Sequence, residues 1–257
     1  MTLRIASLVP SITELLVALG LREHLVARTG FCIHPAAALA DVPKVGGTKD
    51  VNIAKLRSLA PTHVIVNVDE NRLETVQALR EFVPEIIVTH PQGPQDNLQL
   101  LAQMREHFGA AVPGLASRCE TLAVELVLAL GRCRQQAWPG ERVLYLIWRE
   151  PWMTVARDTY ISRMLVEVGW QTWPEVHGGD AGAARYPALV GDEPWLGGIE
   201  RVLLSSEPYR FDAGHLPLAQ QLCPQARVQL VDGELLSWYG PRAAAGLDYL
   251  RALADAA

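Results

Sequence analysis

Cysteine is scarce in this sequence, and its spacing excludes the common cysteine-based sites. The chain has four cysteines among 257 residues and contains no CxxC pair, so a structural zinc site is not expected. Cys119 and Cys133 fall in one predicted helix, roughly 21 Å apart along its axis, which is too far for a disulfide. We therefore expect reduced, structural cysteines, a pattern that favours a reducing compartment.

Long apolar runs and clusters of basic residues are also missing. No stretch approaches the ~20 apolar residues that a membrane-spanning helix needs, so no membrane insertion is expected. The net charge is −5 and the Lys and Arg residues are scattered, whereas a nucleic-acid groove needs a basic patch. The sequence therefore predicts neither a membrane nor a nucleic-acid partner.

The first ten residues lack the pattern of a secretion signal. MTLRIASLVP has no basic region followed by a long apolar region and a small-residue cleavage site. The sequence as given therefore predicts a cytoplasmic protein. The alternative is a periplasmic protein from which a signal was removed.

Motifs that mark catalytic sites are missing as well. There is no G-x-S-x-G elbow, and the run Gly46-Gly47-Thr48-Lys49 does not meet the phosphate-loop pattern GxxxxGK[ST]. The glycine-rich segment 177–180 predicts a mobile loop rather than a site. We therefore expect no enzyme, no catalytic residues and no required cofactor.

What the chain does contain is a repeat. Residues 12–21 (ITELLVALGL) and 161–170 (ISRMLVEVGW) align without a gap, each after a strand-like run and a proline-bearing loop. A repeated strand–loop–helix start predicts two similar lobes, and a cleft between two lobes is where a small ligand usually binds. The matched pairs are Ile12/Ile161, Leu15/Met164, Leu16/Leu165, Val17/Val166, Leu19/Val168 and Gly20/Gly169.

Strands and helices alternate in both halves of the chain, which favours parallel α/β sheets. A helix over 114–136 separates the halves. The predicted domains are an N-terminal lobe over 1–112, a linking helix over 113–137 and a C-terminal lobe over 138–257. The predicted strands are 3–9, 24–28, 62–68 and 85–89 in the first lobe, and 142–148, 199–206 and 226–232 in the second.

Several polar residues are placed to cap the predicted helices. Ser11 and Glu14 fit a capping box at the start of the first repeat helix, in which a hydroxyl and a carboxylate each satisfy a backbone amide. Asn52 is expected to cap a helix over 53–59, and Asp158 or Thr159 the second repeat helix. These caps set the predicted helix starts.

Polar and aromatic residues gather after the predicted strands, at the sheet edge that holds ligands in open parallel sheets. All seven tryptophans lie after residue 137, and rings in loops suit a flat, largely apolar ligand. Cys32 and His34 follow the second strand and offer sulfur and imidazole to a zinc, copper(I), iron or cobalt centre. The other interpretation is a buried thiol beside a hydrogen-bonded loop histidine.

Seven segments are distinctive when taken in order: LVPSITELL, GFCIHP, VGGTKDVNI, LAPTHVIVNVDEN, IWREPWMTVARDTYISRML, SSEPYRF and VDGELLSWYG. Together they resemble the helical-backbone metal receptor superfamily, and within it the cobalamin-binding-protein-like branch. This group contains the substrate-binding proteins of class III ABC importers for vitamin B12 and ferric siderophores. The resemblance spans nearly the whole chain and implies an α/β fold of two Rossmann-like lobes with parallel sheets, joined by one long helix.

The resemblance also implies a function: non-catalytic binding of a corrinoid or another metal chelate in the inter-lobe cleft, linked to an ABC permease. Glu74 lies near the family's first-lobe docking acid. Two alternatives stay open, a direct metal-ion binding or sensing protein that uses Cys32 and His34, and a cytoplasmic enzyme that acts on a tetrapyrrole-like ligand. The implied ligand-binding residues are Ser11, Cys32, Gly47, Thr48, Glu70, Trp148, Trp152, Tyr160, Glu207, Tyr209, Trp238 and Tyr239.

Overall fold

The structure, a computed structural model, describes residues 2–256. It divides into two compact units. The first unit comprises the residues up to Pro91 together with Asn97–Val124 and Tyr239–Pro241, and the second comprises Gln92–Asp96, Glu125–Trp238 and the residues from Arg242 on. The division falls inside the long helix, and the domain boundaries given above stay a prediction.

The first unit is built on a four-stranded parallel sheet with the strand order β2-β1-β3-β4. Helices connect successive strands, as parallel pairing requires. The elements are β1 (Ile5–Ser7), α1 (Pro10–Ala18), β2 (Leu25–Arg28), α2 (Ile53–Ser58), β3 (His63–Asn67), α3 (Leu73–Leu79), β4 (Glu85–Thr89) and α4 (Asn97–Phe108). The helix α5 (Leu115–Arg134) then continues from the first unit into the second.

The second unit repeats this arrangement with the strand order β6-β5-β7-β8, again all parallel. Position by position, the order is that of the first sheet, so the prediction of two similar α/β lobes joined by one long helix is confirmed. The elements are β5 (Glu141–Leu146), α6 (Tyr160–Val166), β6 (Trp170–Thr172), β7 (Arg201–Ser205), α7 (Leu216–Leu222), β8 (Arg227–Val231), α8 (Gly233–Ser237) and α9 (Ala243–Asp255).

The glycine shared by the two repeats ends the corresponding helix in each unit. Gly20 follows α1 with φ 79° and Gly169 follows α6 with φ 75°, a left-handed conformation that favours glycine. A Cβ on Gly169 would also lie 2.9 Å from the carbonyl oxygen of Pro139. The repeat therefore preserves a helix stop as well as an apolar helix face.

Helix starts follow the predicted caps in two of three cases. Asn52 accepts a hydrogen bond from the Lys55 amide at 2.9 Å, and Thr159 accepts one from Ser162 at 3.3 Å. The capping box at Ser11 was wrong, because α1 begins at Pro10 with Val9 as its N-cap. Proline fits the first helical position without losing a needed donor, so Ser11 falls inside the helix, where it is buried.

Apolar side chains from both faces of each sheet form the cores. In the first unit Ala6, Val64 and Val66 pack with Leu56 and Leu79 of the covering helices. All four cysteines are free thiols in buried positions, as the sequence predicted. None of the helices in residues 2–256 combines the length and apolarity that crossing a membrane requires.

Candidate functional site

The turn after β3 presents two carboxylates at the strand-end edge of the first sheet. The Oδ1 atom of Asn67 accepts hydrogen bonds from the amides of Asp69 at 2.8 Å and Glu70 at 3.2 Å. The Glu70 carboxylate in turn accepts a hydrogen bond from the Tyr239 hydroxyl at 3.0 Å. Burial raises the pKa of Tyr239 well above its usual value, and the nearby Glu70 charge adds to the effect, so Tyr239 remains a hydrogen-bond donor.

A loop over residues 46–48 is tied to the same edge. The Asn71 amide group donates to the carbonyl oxygen of Leu8, just after β1, at 3.2 Å and to that of Thr48 at 2.9 Å. Gly46 has φ 103°, and a Cβ there would lie 2.3 Å from the Asp50 carbonyl oxygen, so only glycine fits. The predicted residues Gly47 and Thr48 are thereby held beside the ends of β1 and β3.

Cys32 lies in this region but is turned inward. The residue is fully buried, with its Sγ atom 3.1 Å from Thr29 Oγ1 and 3.9 Å from the Ser7 carbonyl oxygen. Burial raises the pKa of the Cys32 thiol, which disfavours the thiolate that binds metals. Within residues 2–256, no group of three or more His, Cys, Asp and Glu side chains is placed to hold a metal ion. Cys32 and His34 therefore do not belong to such a group.

The residues on either side of Cys32 are exposed. Phe31 is 63% exposed and Ile33 is 49% exposed. The Cys32 amide donates to the Thr29 carbonyl oxygen at 3.3 Å, and the turn that this bond closes places Cys32 between two exposed side chains. The first unit therefore presents apolar side chains after β2.

In the second unit, the turn after β7 repeats the arrangement of the turn after β3. The Ser205 hydroxyl accepts from the Glu207 amide at 3.3 Å and donates to the Glu207 carbonyl oxygen at 2.7 Å, much as Asn67 organises its own turn. The Glu207 Oε1 atom accepts hydrogen bonds from Ser237 Oγ at 2.7 Å and Trp238 Nε1 at 2.6 Å. These two hydrogen bonds lower the pKa of Glu207, but burial raises it by more, so the pKa is raised overall. The ionised carboxylate is therefore less stable in the folded protein than in water.

We expect Glu207→Gln to become more stable than the wild type as the pH rises from 4 to 7. A carboxyl group whose pKa is raised by folding contributes stability below its unfolded pKa, here 4.5, and loses that contribution as the pH rises through the folded pKa. Glutamine keeps an oxygen for Ser237 and Trp238 and carries no charge. Thermal unfolding of both proteins across this pH range measures the difference.

Glu193→Gln is the matched control in the same unit and should behave in the opposite way. Burial opposes ionisation of Glu193, but the amides of Val190 and Gly191 donate to its carboxylate and the net pKa is lowered. Its contribution is present above pH 4.5 and is lost as the pH falls through the folded pKa. Equal pH profiles for the two variants would contradict the assignment of Glu207 as a destabilised carboxylate.

Five rings form an aromatic cluster at the strand-end edge of the second sheet: Trp148, Trp152, Tyr209, Phe211 and His215. Trp148 meets Tyr209 edge-on at 5.5 Å, and Trp152 stacks on Phe211 at 5.9 Å. The Tyr209 amide donates to the carbonyl oxygen of Ile147, just after β5, which fixes the cluster at the end of that strand. Trp148 remains 42% exposed, so the cluster presents an aromatic surface.

Polar bonds hold the rings of this cluster in place. The Tyr209 hydroxyl and the His215 Nε2 atom are 3.1 Å apart, and the His215 Nδ1 atom is 2.8 Å from Asp212 Oδ1. The Arg149 guanidinium lies 5.4 Å from the centroid of the Trp152 ring. Phe211 and His215 were missed from the sequence, although the Tyr209-x-Phe211 spacing in SSEPYRF places two rings on one side of an extended segment.

The remaining predicted residues are buried. Tyr160 opens α6 at the position that Ser11 occupies in α1, and both are buried. Trp238 is buried with the Arg242 guanidinium 4.7 Å from its ring centroid. The predicted set thus divides into Ser11, Cys32, Gly47, Thr48, Glu70 and Tyr239 in the first unit, and Trp148, Trp152, Tyr160, Glu207, Tyr209 and Trp238 in the second.

The glycine-rich segment 177–180, whose mobility stays a prediction, contains a glycine with a packing role. The Asp158 carboxylate accepts hydrogen bonds from the amides of Gly178 at 3.0 Å and Gly179 at 2.8 Å. A Cβ on Gly178 would lie 2.3 Å from the Cα atom of the fully buried Arg185. Glycine is therefore needed for close approach, and Asp158, one of the two predicted helix caps, is used here instead.

The family model described as a periplasmic binding protein matches residues 5–185. The vitamin B12-binding protein of Vibrio vulnificus (strain CMCP6) is 24% identical over 212 residues, which are 82% of this chain and 71% of that protein.

Two solved structures share the fold across almost their whole length. The periplasmic vitamin B12 binding protein BtuF of Vibrio cholerae matches with a TM-score of 0.80 at 21% identity, covering 97% of this chain and 96% of that one. The periplasmic heme-binding protein RhuT from Roseiflexus sp. RS-1, in apo form, matches with a TM-score of 0.77 at 24% identity, covering 100% and 99%. At these identities the structural matches establish the fold.

Proposed function

The chain belongs to the periplasmic binding protein family, and from this membership we propose that it binds a corrinoid, a cobalamin-like ligand, for uptake through an ABC-type permease. The proteins it resembles are solute-binding proteins, so the chain is a binding protein and not an enzyme. The bound corrinoid would be cargo, and no cofactor is required for this role.

The aromatic cluster carries the proposal. A corrin ring is wide, flat and largely apolar, and exposed indole and phenol rings can cover such a face without an ion pair. Each Å² of apolar surface removed from water contributes about 25 cal/mol. Trp148, Trp152 and Tyr209 offer this surface at the sheet edge where parallel α/β folds bind ligands. The vitamin B12-binding relatives support the choice of a corrinoid.

Heme is the second candidate, favoured by one feature of the same cluster. The Tyr209 hydroxyl and the His215 imidazole lie 3.1 Å apart. A phenol oxygen and an imidazole nitrogen can each coordinate haem iron. A heme-binding protein is among those with the same fold. The alternative of a protein that binds a metal ion directly through Cys32 and His34 has less support, because the Cys32 thiol is buried and hydrogen-bonded to Thr29.

Location and transport partner belong to the proposal as well. The expected cytoplasmic location finds no support in the family description, which fits the periplasmic alternative. Glu74 is exposed in the first turn of α3, where it is free to meet a cationic surface of a permease. A periplasmic binding protein that delivers a corrinoid to an ABC permease is the function we propose.

Titration with cyanocobalamin and, separately, with hemin tests this function. All seven tryptophans lie in the second unit, so their fluorescence reports binding at the aromatic cluster. We expect saturable quenching by cyanocobalamin with a Kd in the micromolar range or tighter and weaker binding of hemin. Tighter binding of hemin would select the second candidate, and no saturable change with either ligand would reject both.

A further inference from the structure

The helix α5 carries an apolar patch on its solvent side. Val124, Val127 and Leu128 are 58%, 52% and 56% exposed, and their spacing of three and four residues places them on one side of a helix. The core side of the same helix is formed by buried residues such as Leu126 and Leu130. Adjacent apolar side chains in solvent mark an interaction surface, so α5 has a second apolar side that is available to a partner.

Charged residues on the solvent side of α5 are divided by sign. The acids come first and the bases follow the patch, and all four are exposed: Glu120, Glu125, Arg132 and Arg134. A parallel copy of the helix would set like charges at the same level, whereas an antiparallel copy sets acids opposite arginines. Flanking charges of this kind decide the orientation of paired helices, so the pattern is complementary to itself in the antiparallel direction.

The charges and the apolar patch agree on one register. The midpoint between Glu120 and Arg134 falls at residue 127. The midpoint between Glu125 and Arg132 falls between residues 128 and 129. Two antiparallel copies that cross beside Leu128 therefore align both charge pairs and place the apolar patches against each other.

Both arginines can serve a further carboxylate. Arg132 uses its Nε and Nη2 atoms for the two carboxylate oxygens of Asp248, and Arg134 uses the same two atoms for Glu167. A guanidinium carries five N–H donors, so the Nη1 atom of each arginine remains for an acid of a second copy. The existing pairs hold the two side chains in place, which reduces the entropy lost on association.

Gly131 leaves space for a second helix beside the patch. A Cβ on Gly131 would have no atom of the described residues within 4 Å, so the surface of α5 is open there. Packed helices lie about 8–10 Å apart, and in the antiparallel register Val124 lies level with Gly131 of the second copy. A larger residue is thereby matched with the position that has no side chain.

We propose that the chain associates with a second copy of itself through the solvent side of α5, as an antiparallel pair that crosses at Leu128. The same patch serves both copies, as a two-fold symmetric interface requires. The helix has 20 residues and is about 30 Å long, so one helix pair gives an interface smaller than the roughly 1,200 Å² of stable complexes. The dimer is therefore weak, and its formation does not depend on the proposed ligand.

Sedimentation equilibrium of the full chain, from micromolar to millimolar concentrations, tests this association. We expect reversible dimerisation of the wild type and a dimer Kd at least about tenfold weaker in Leu128→Glu, because symmetry buries the new carboxylate twice. The matched control is Val166→Glu, at a side chain that is 55% exposed in α6, and it should leave the Kd unchanged. Wild-type protein that stays monomeric throughout this range overturns the proposal and leaves the patch to a different partner.

A charge reversal tests the pairing of acids with arginines. Glu120→Arg should weaken the dimer several-fold at low salt, because it sets a cation opposite Arg134 of the second copy, and added salt should reduce the difference. Glu106→Arg changes the net charge equally at an exposed position of α4 and should not weaken the dimer. Equal weakening by the two variants would mean that net charge alone acts, which contradicts the proposed pairing.

Oxidative cross-linking tests the orientation and the register. The two copies of residue 128 face each other in the proposed pair, within reach of a disulfide, so Leu128→Cys should form a cross-linked dimer. The two copies of residue 124 would lie about 12 Å apart along the helix axes, so Val124→Cys should not. The four native cysteines are buried, and the wild type measures their background. Equal cross-linking of both variants, as a parallel pair would give, or none through Leu128→Cys, overturns the arrangement.

Discussion

Trp148→Ala is expected to weaken cyanocobalamin binding about 100-fold while the protein stays folded. The indole is 42% exposed and meets Tyr209 edge-on, so its removal costs little core packing but takes away the most accessible ring of the aromatic cluster. Truncating an aromatic anchor of a binding surface costs about 2–4 kcal/mol, and each 1.4 kcal/mol is a factor of ten in Kd. Equilibrium dialysis followed by the absorbance of the corrinoid measures the loss without depending on tryptophan fluorescence.

Two phenylalanine variants sharpen this test. Trp148→Phe should retain most of the affinity, since a smaller ring still covers part of the ligand. Trp195→Phe makes the same change in a short helical turn of the second unit, where Trp195 lies 6.2 Å from Trp173, and it should leave Kd unaltered. Wild-type affinity in Trp148→Ala would show that the ligand lies elsewhere.

Much of the fold could be predicted because each of its determinants is local in the sequence. Apolar runs bounded by proline or polar residues mark the strands, and the repeated helix stop at Gly20 and Gly169 marks the duplication. The short strand β6, Trp170–Thr172, was not identified as a strand. It has three residues, and nothing in so short a run distinguishes a strand from the end of a loop.

The candidate site was harder to predict, because it depends on which way individual side chains turn. GFCIHP identifies a loop after β2, but only the structure shows that Arg28 donates a hydrogen bond to the Cys32 carbonyl oxygen, that Cys32 is buried and that Phe31 is exposed. Asp158 could have capped α6, yet it binds the amides of Gly178 and Gly179, twenty residues later in the chain. Long-range partners of this kind leave no local signal.

Glu141→Gln is expected to destabilise the second unit by about 3–5 kcal/mol, because it leaves a buried guanidinium without its counter-charge. The Arg201 side chain is 3% exposed and Glu141 18% exposed. Arg201 Nε lies 2.8 Å and Nη2 3.0 Å from the two carboxylate oxygens, and Nη1 donates to Gln229 at 3.1 Å. Its guanidinium also lies 4.5 Å from the Trp170 ring centroid, so one cation links residues of all four strands in this sheet.

Urea unfolding followed by tryptophan fluorescence measures this loss, since every tryptophan lies in the second unit. The control is Asp248→Asn, which breaks a similar two-bond pair with Arg132, at 2.9 and 2.6 Å, whose side chains are both 41% exposed. Water replaces the lost partner there, so a far smaller effect is expected. Equal losses in the two variants would mean that burial of Arg201 contributes nothing, whereas a combined Glu141→Leu and Arg201→Met protein should regain much of the stability by removing both charges.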